Sequence, residues 1–194
     1  MSKYYRIQAD IDLSAIRKNI ETMRSRIPAG KKLLAVIKAN AYGHGSIEVA
    51  NALDDLADYY GVACIDEAVE LRLAGITKPI LILGVTDESL FSDIVKYDIT
   101  QTIFTLEQAK ALSEEAGRQG KEGKLHIKID TGMNRIGFAC VKESVPEIVA
   151  IRKLPNLNVE GIFTHYYKAD AKDKSLAYAQ LEKYTQMVKW LEEA

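Results

Sequence analysis

Six short apolar segments alternate with helical stretches along this chain, at residues 33–37, 60–64, 80–83, 99–104, 125–129 and 159–163. Short, uniformly apolar runs are what strands buried on both faces look like, and strand–helix alternation is the pattern of a parallel sheet. The spacing also predicts an opening helix, with Leu13, Ile16, Ile20 and Met23 recurring behind Asp12, a good N-cap, until Pro28 and Gly30 break the pattern. A last helix carries Leu176, Leu181, Tyr184, Val188 and Leu191 on one side. No repeat, low-complexity tract or charge block marks a linker, so the expectation is one α/β domain.

Composition narrows the class of function. The formal net charge is −1 with acids and bases interspersed, which gives no basis for binding nucleic acid or a membrane surface. No apolar segment is long enough to cross a bilayer, and residues 1–10 are polar and tyrosine-rich, unlike a secretory leader, so a cytoplasmic location is expected. Cys64 and Cys140 fit no metal or redox spacing and read as reduced packing residues, and the three histidines are too scattered for a metal site.

The chemistry concentrates in residues 36–45, VIKANAYGHG. Lys38 closes the first apolar run, and Tyr42 follows in a loop carrying Gly43 and Gly45. Parallel barrels gather their chemistry where strands turn into loops. A partly desolvated amine there forms a Schiff base with an aldehyde such as pyridoxal phosphate. Tyr42 is placed to hydrogen-bond a phosphate at the start of the next helix, whose first amides also favour an anion. On local pattern alone, a solvated lysine ending a strand is the commoner occurrence.

The run resembles the cofactor-lysine signature of the bacterial alanine racemases, and three further segments match that family in order: GVACIDEAVELR at 61–72, KIDTGMNRIG at 128–137 and GIFTH at 161–165. The resemblance covers nearly the whole chain and implies a TIM-type (β/α) barrel enzyme that uses pyridoxal 5'-phosphate. By resemblance, Lys38 holds the cofactor and moves the α-proton on the face leading to the D-isomer, while Tyr42 contacts the phosphate. Arg135 looks like the arginine that reaches the substrate carboxylate. Lys128 matches a position where a carbamylated lysine often orients that arginine, and pairing with Asp130 or Glu160 at a strand end is its plainer alternative. His165 resembles a histidine beside the cofactor ring, although a lone strand-end histidine is more often a core or surface residue. Leu83 looks like an apolar contact on the ring, or ordinary core.

Further residues of these segments read as structural. His44 bridges its loop to neighbouring backbone, His126 faces the helix layer, and Met133 and Asn134 occupy a tight turn. The pair Tyr166–Tyr167 departs from the family's usual phenylalanine plus small residue, which leaves the entrance narrower.

An eight-unit barrel typically needs about 250 residues, and this chain has 194. Six units leave the barrel incomplete, with open edges and an apolar interior facing water. The C-terminal β-domain of the alanine racemases has no counterpart, and residues 4–11 resemble the N-terminal strand that packs against it. The chain therefore reads as the N-terminal portion of a homodimeric racemase that supplies D-alanine for peptidoglycan, inactive alone and prone to self-association. Two alternatives stay open: a single-domain pyridoxal-phosphate-binding homeostasis protein without racemase activity, and a serine racemase domain.

Overall fold

The computed structural model describes residues 7–194. The chain divides into two compact units, Met1–Ile80 and Leu81–Ala194. In the stretch 4–11 read as a strand, residues 4–6 lie outside the described residues and residues 7–11 form no strand.

The first unit opens with helix α1 (Leu13–Arg24). Asp12 caps it as expected, its Oδ1 accepting the amides of Ser14 and Ala15 at 2.9 and 3.1 Å. The Ser14 hydroxyl and these amides hold the Asp12 carboxyl below the usual range. Strand β1 (Leu34–Val36) follows, then the turn α2 (Lys38–Gly43), α3 (Ser46–Ala52), β2 (Tyr59–Val62) and α4 (Ile65–Leu73). β1 and β2 are parallel, with Leu34 opposite Tyr59 and Val36 opposite Gly61. Asp58 fixes their start: its Oδ2 accepts the Leu33 amide and an Arg24 guanidinium nitrogen, both at 2.7 Å. Tyr60 is fully buried, and its hydroxyl donates to the Ala50 carbonyl at 2.6 Å, so the ring fills the core with no orphaned polar atom.

β3 (Ile80–Ile82) begins at the division, and the second unit carries the rest of it with α5 (Phe91–Lys96), β4 (Thr100–Ile103), α6 (Leu106–Arg118), β5 (Gly123–Asp130), β6 (Phe138–Ala139), α7 (Val145–Ile151), β7 (Leu157–Phe163) and α8 (Ser175–Glu192). Every pair among β3–β4, β4–β5 and β5–β7 is parallel, as is the short β6 against the end of β5. The two faces of β5 differ in kind. Leu125, Ile127 and Ile129 are buried on one face, and a side chain at Gly123 on that face would meet Leu112 of α6 at 3.0 Å. Lys124, His126 and Lys128 point the other way.

That second face corrects two expectations. His126 does not face the helix layer: it sits 3.7 Å from Glu160 and edge-on to the Phe163 ring at 6.2 Å. Nor is this face apolar, since Lys124 pairs with Asp98 at 2.7 Å and Thr100 Oγ1 donates to Glu160 at 3.1 Å. Alternation along a strand states which side chains share a face but not which face meets the helices.

Candidate active site

Lys38 lies half-buried just past the end of β1, on the first residue of α2. The chain there does something the sequence does not advertise. Residues Ala39, Asn40, Ala41 and Tyr42 all adopt left-handed helical angles, with φ between 51° and 54° and ψ between 37° and 49°. A left-handed helical residue other than glycine costs about 1–2 kcal/mol, so four in succession store on the order of 4–8 kcal/mol. That rivals the net stability of a whole domain, about 5–15 kcal/mol, and it persists only where the surroundings over-determine it.

The bonds that hold this turn are specific. The Ala41 amide donates to the Ile37 carbonyl at 2.8 Å, and the Gly45 amide to the Asn40 carbonyl at 3.0 Å. His44 Nδ1 lies 2.8 Å from the Ala41 carbonyl oxygen, the bridging role its sequence implied. The Ser46 amide donates to Asn40 Oδ1 at 2.8 Å, so this first amide of α3 is taken by the turn rather than left to an anion. From α4, Glu67 Oε1 accepts the Ala39 amide and Oε2 the Ala63 amide, each at 2.7 Å. Tyr42 emerges from the turn 62% exposed, an accessible phenol rather than a partly buried ring.

In the second unit, the candidate residues of 128–137 are organised around Asp130. Its carboxylate accepts the amides of Gly132 at 2.8 Å and Asn134 at 3.1 Å. Partial burial pushes this carboxyl upward, but the amides of residues 132–135 outweigh it and the net shift is downward. The loop carrying Arg135 thus wraps around one anion. Asn134 takes φ +54°, and Gly137 takes φ +134° where a Cβ would stand 2.6 Å from the Asp130 nitrogen. Only glycine fits there. Arg135 itself is exposed on the loop.

Lys128 is 3% exposed inside β5, with its Nζ 4.9 Å from the Phe163 ring centre and donating to the Ile129 carbonyl at 3.3 Å. Burial pushes its amine down to about 8, the nearby Asp130 opposing and Arg135 reinforcing the shift. Lys128 is thus buried near the end of the strand, with Asp130 acting on it electrostatically.

His165 stands two residues beyond β7, exposed, where the chain leaves the strand. Its backbone is anchored from α8. Gln180, 3% exposed, donates to the His165 carbonyl and to Thr131 Oγ1, both at 3.0 Å, and accepts the Tyr167 amide at 3.3 Å. Thr131 in turn shares a 2.8 Å hydrogen bond with Thr164. The loops after β5 and β7 are thereby pinned together. Leu83 is half-buried directly after β3.

Compared with known families, residues 11–194 match the family described as alanine racemase, N-terminal domain. The chain belongs to that family. The alanine racemase of Methanococcus maripaludis is 47% identical over 188 residues, covering 96% of this chain and 50% of that protein. That of Clostridium tetani is 42% identical over 195 residues, covering 100% of this chain and 50% of its own length. Among solved structures, alanine racemase from Clostridium difficile 630 superposes with a TM-score of 0.92 at 42% identity, covering 94% of this chain and 48% of that one. The chain spans about half the length of the curated relatives it matches. Its fold is accordingly the α/β barrel of alanine racemase N-terminal domains, present in part.

Within this alanine racemase domain, the structure brings Lys38 and Tyr42 onto one turn, and Asp130 and Arg135 within electrostatic reach of Lys128. Three residues that support them carried no signal in their own right. Glu67 and Asp130 act through backbone amides, and Gln180 mainly through backbone groups, which no side-chain motif records. Glu67 is the third residue of α4, where an acidic side chain commonly bonds the helix's own N-terminal backbone.

Proposed function

We propose that this chain is the cofactor-lysine portion of a pyridoxal-phosphate-dependent racemase that interconverts L- and D-alanine. The observation that carries the reading is the placement of Lys38: a half-buried lysine at a strand end, on the first residue of a turn that the fold maintains at high conformational cost. The donor set suits the cofactor, since the amine is of the type that condenses with an aldehyde and the exposed Tyr42 phenol on the same turn is a donor suited to a phosphate. When bound, pyridoxal phosphate supplies an electron sink for negative charge at the substrate α-carbon. Lys38 anchors it and carries a proton to or from one face of that carbon. Racemisation needs a base on each face, and Lys38 is one of them.

Arg135 receives the substrate carboxylate with its planar guanidinium. A carbamate on Lys128 orients it: the neutral amine adds carbon dioxide and releases a proton, turning a buried cation into an anion that attracts Arg135. An amine held at about 8 is neutral in an appreciable fraction near neutral pH, as this step requires. By the same family resemblance, His165 would serve the cofactor as a polar neighbour and Leu83 as an apolar contact. The solved Clostridium difficile racemase in complex with cycloserine supports a small amino-acid-like substrate for this chain as well. A homodimeric assembly in the cytoplasm, serving D-alanine supply for peptidoglycan, completes the proposal.

Borohydride reduction of the full-length protein loaded with pyridoxal phosphate, followed by peptide mapping, tests it. The reduced cofactor is expected on Lys38, Lys38→Ala should abolish the adduct, and the wild-type protein should form D-alanine from L-alanine. An adduct on a different lysine rejects the assignment.

A further inference from the structure

The left-handed turn raises a question that the cofactor reading does not answer: what keeps its first peptide in place. Ala39 is the residue after Lys38, and its amide bonds neither the strand before it nor the turn after it but Glu67 Oε1, 28 residues away in sequence, at 2.7 Å. The other oxygen of the same carboxylate accepts the Ala63 amide, just past β2, at 2.7 Å. One anion therefore ties the end of β1 to the end of β2. We infer that Glu67 is a positioning residue for Lys38, clamping the Lys38–Ala39 peptide so that the amine is held where the cofactor aldehyde meets it. This rests on the assignment of Lys38 as the cofactor lysine.

The geometry separates the clamp from a local role. An acidic residue in the third position of a helix commonly reaches back to its own N-terminal backbone, and the bond to Ala63 has that character. Such a cap uses one oxygen. The second oxygen is spent across the fold, on the single amide adjacent to Lys38, at the entrance to four residues of costly backbone. Charge strengthens both bonds, since a carboxylate oxygen accepts an amide roughly twice as strongly as a neutral acceptor does. Glutamine lacks the second acceptor and presents an NH2 group to one of the two amides.

The test uses the full-length protein and its Glu67→Gln and Glu67→Ala variants. Hydrogen exchange read at single-residue resolution should show the Ala39 and Ala63 amides protected in the wild type. Exchange at both should speed up by roughly 10-fold or more in Glu67→Ala, and at one of the two in Glu67→Gln. Titration of the cofactor-stripped protein with pyridoxal phosphate should show Kd raised by about 10-fold or more in Glu67→Ala. A lowered melting temperature with unchanged Kd would assign Glu67 to helix capping alone and overturn the proposal. An unprotected Ala39 amide in the wild type overturns it even if neither variant folds. Peptide mapping after borohydride keeps the two readings apart. Wild-type cofactor on another lysine rejects Lys38 and this proposal together, whereas cofactor on Lys38 with an unaffected Glu67→Ala rejects only the clamp.

Discussion

At the residue scale, the residue types of the Lys38 segment were legible in its letters, and its conformation was not. An amine at the close of an apolar run, followed by Tyr42 and two glycines, is legible because each residue type has a distinct chemical use. The left-handed run of Ala39, Asn40, Ala41 and Tyr42 was hidden because two alanines and a tyrosine are poor residues for that region. Tertiary bonds impose it. Burial of Lys128 was hidden for a related reason, as a lysine in a strand is ordinarily exposed or paired. Arg135 offers the sharpest functional test at this scale. Its loop is shaped by Asp130 through backbone amides, so removing the guanidinium leaves the loop standing. Arg135→Ala in the full-length protein should lower turnover by roughly 30-fold to 1000-fold, the loss of one charge-assisted contact to a desolvated partner, while bound pyridoxal phosphate stays near wild-type amounts. Steady-state kinetics beside cofactor stoichiometry checks this, and equal losses in both would place Arg135 in cofactor binding instead.

At the scale of elements, every apolar run in the sequence became a strand, because short uniformly apolar segments between helices have few other places to go. The boundaries moved where polar residues entered. β5 begins at Gly123 and β7 at Leu157, two residues ahead of the apolar runs, because the register extends through Lys124 opposite Asn158, residues that hydropathy alone excludes. The short β6 was illegible, since its two residues pair only because the Asp130 loop returns them to the end of β5. α8 was read as an amphipathic helix, yet its most consequential residue is the polar Gln180, buried under the loops after β5 and β7. Gln180→Leu keeps much of the volume but strands the Tyr167 amide and the partners on Thr131 and His165. The expected cost is about 2–4 kcal/mol of unfolding free energy. Urea denaturation measures it, and a change below the error of the method would show that these loops find other partners.

For the whole molecule, the polar side of β5 alters the energetic expectation drawn from an incomplete barrel. Lys124, His126 and Lys128 share that side with Asp98, Glu160 and Thr100, so ion pairs and hydrogen bonds occupy ground that a purely apolar interior would leave exposed. Lys128 is the costly member, because its burial is only weakly offset by Asp130. The cost depends on pH in a definite sense. Below about pH 8 both the folded and unfolded chains carry the proton, and the penalty is constant. Between about 8 and the ordinary lysine value of 10.5 the unfolded chain still binds the proton that the folded chain has released, so stability should rise with pH through that window. The full shift corresponds to at most on the order of 3 kcal/mol. Tyr60, pushed up to about 12 by burial, acts in the opposite direction at the alkaline end, so the comparison must be made against a variant. In buffer freed of carbon dioxide, Lys128→Met should be more stable than the wild type at pH 7, and the difference should shrink as pH rises past 8. Adding bicarbonate should narrow the gap at neutral pH by converting the buried cation to a carbamate paired with Arg135. Intact mass showing an added carboxyl group with no change in stability would separate the modification from its energetic role, and a gap independent of pH would show that Lys128 keeps its proton in the fold.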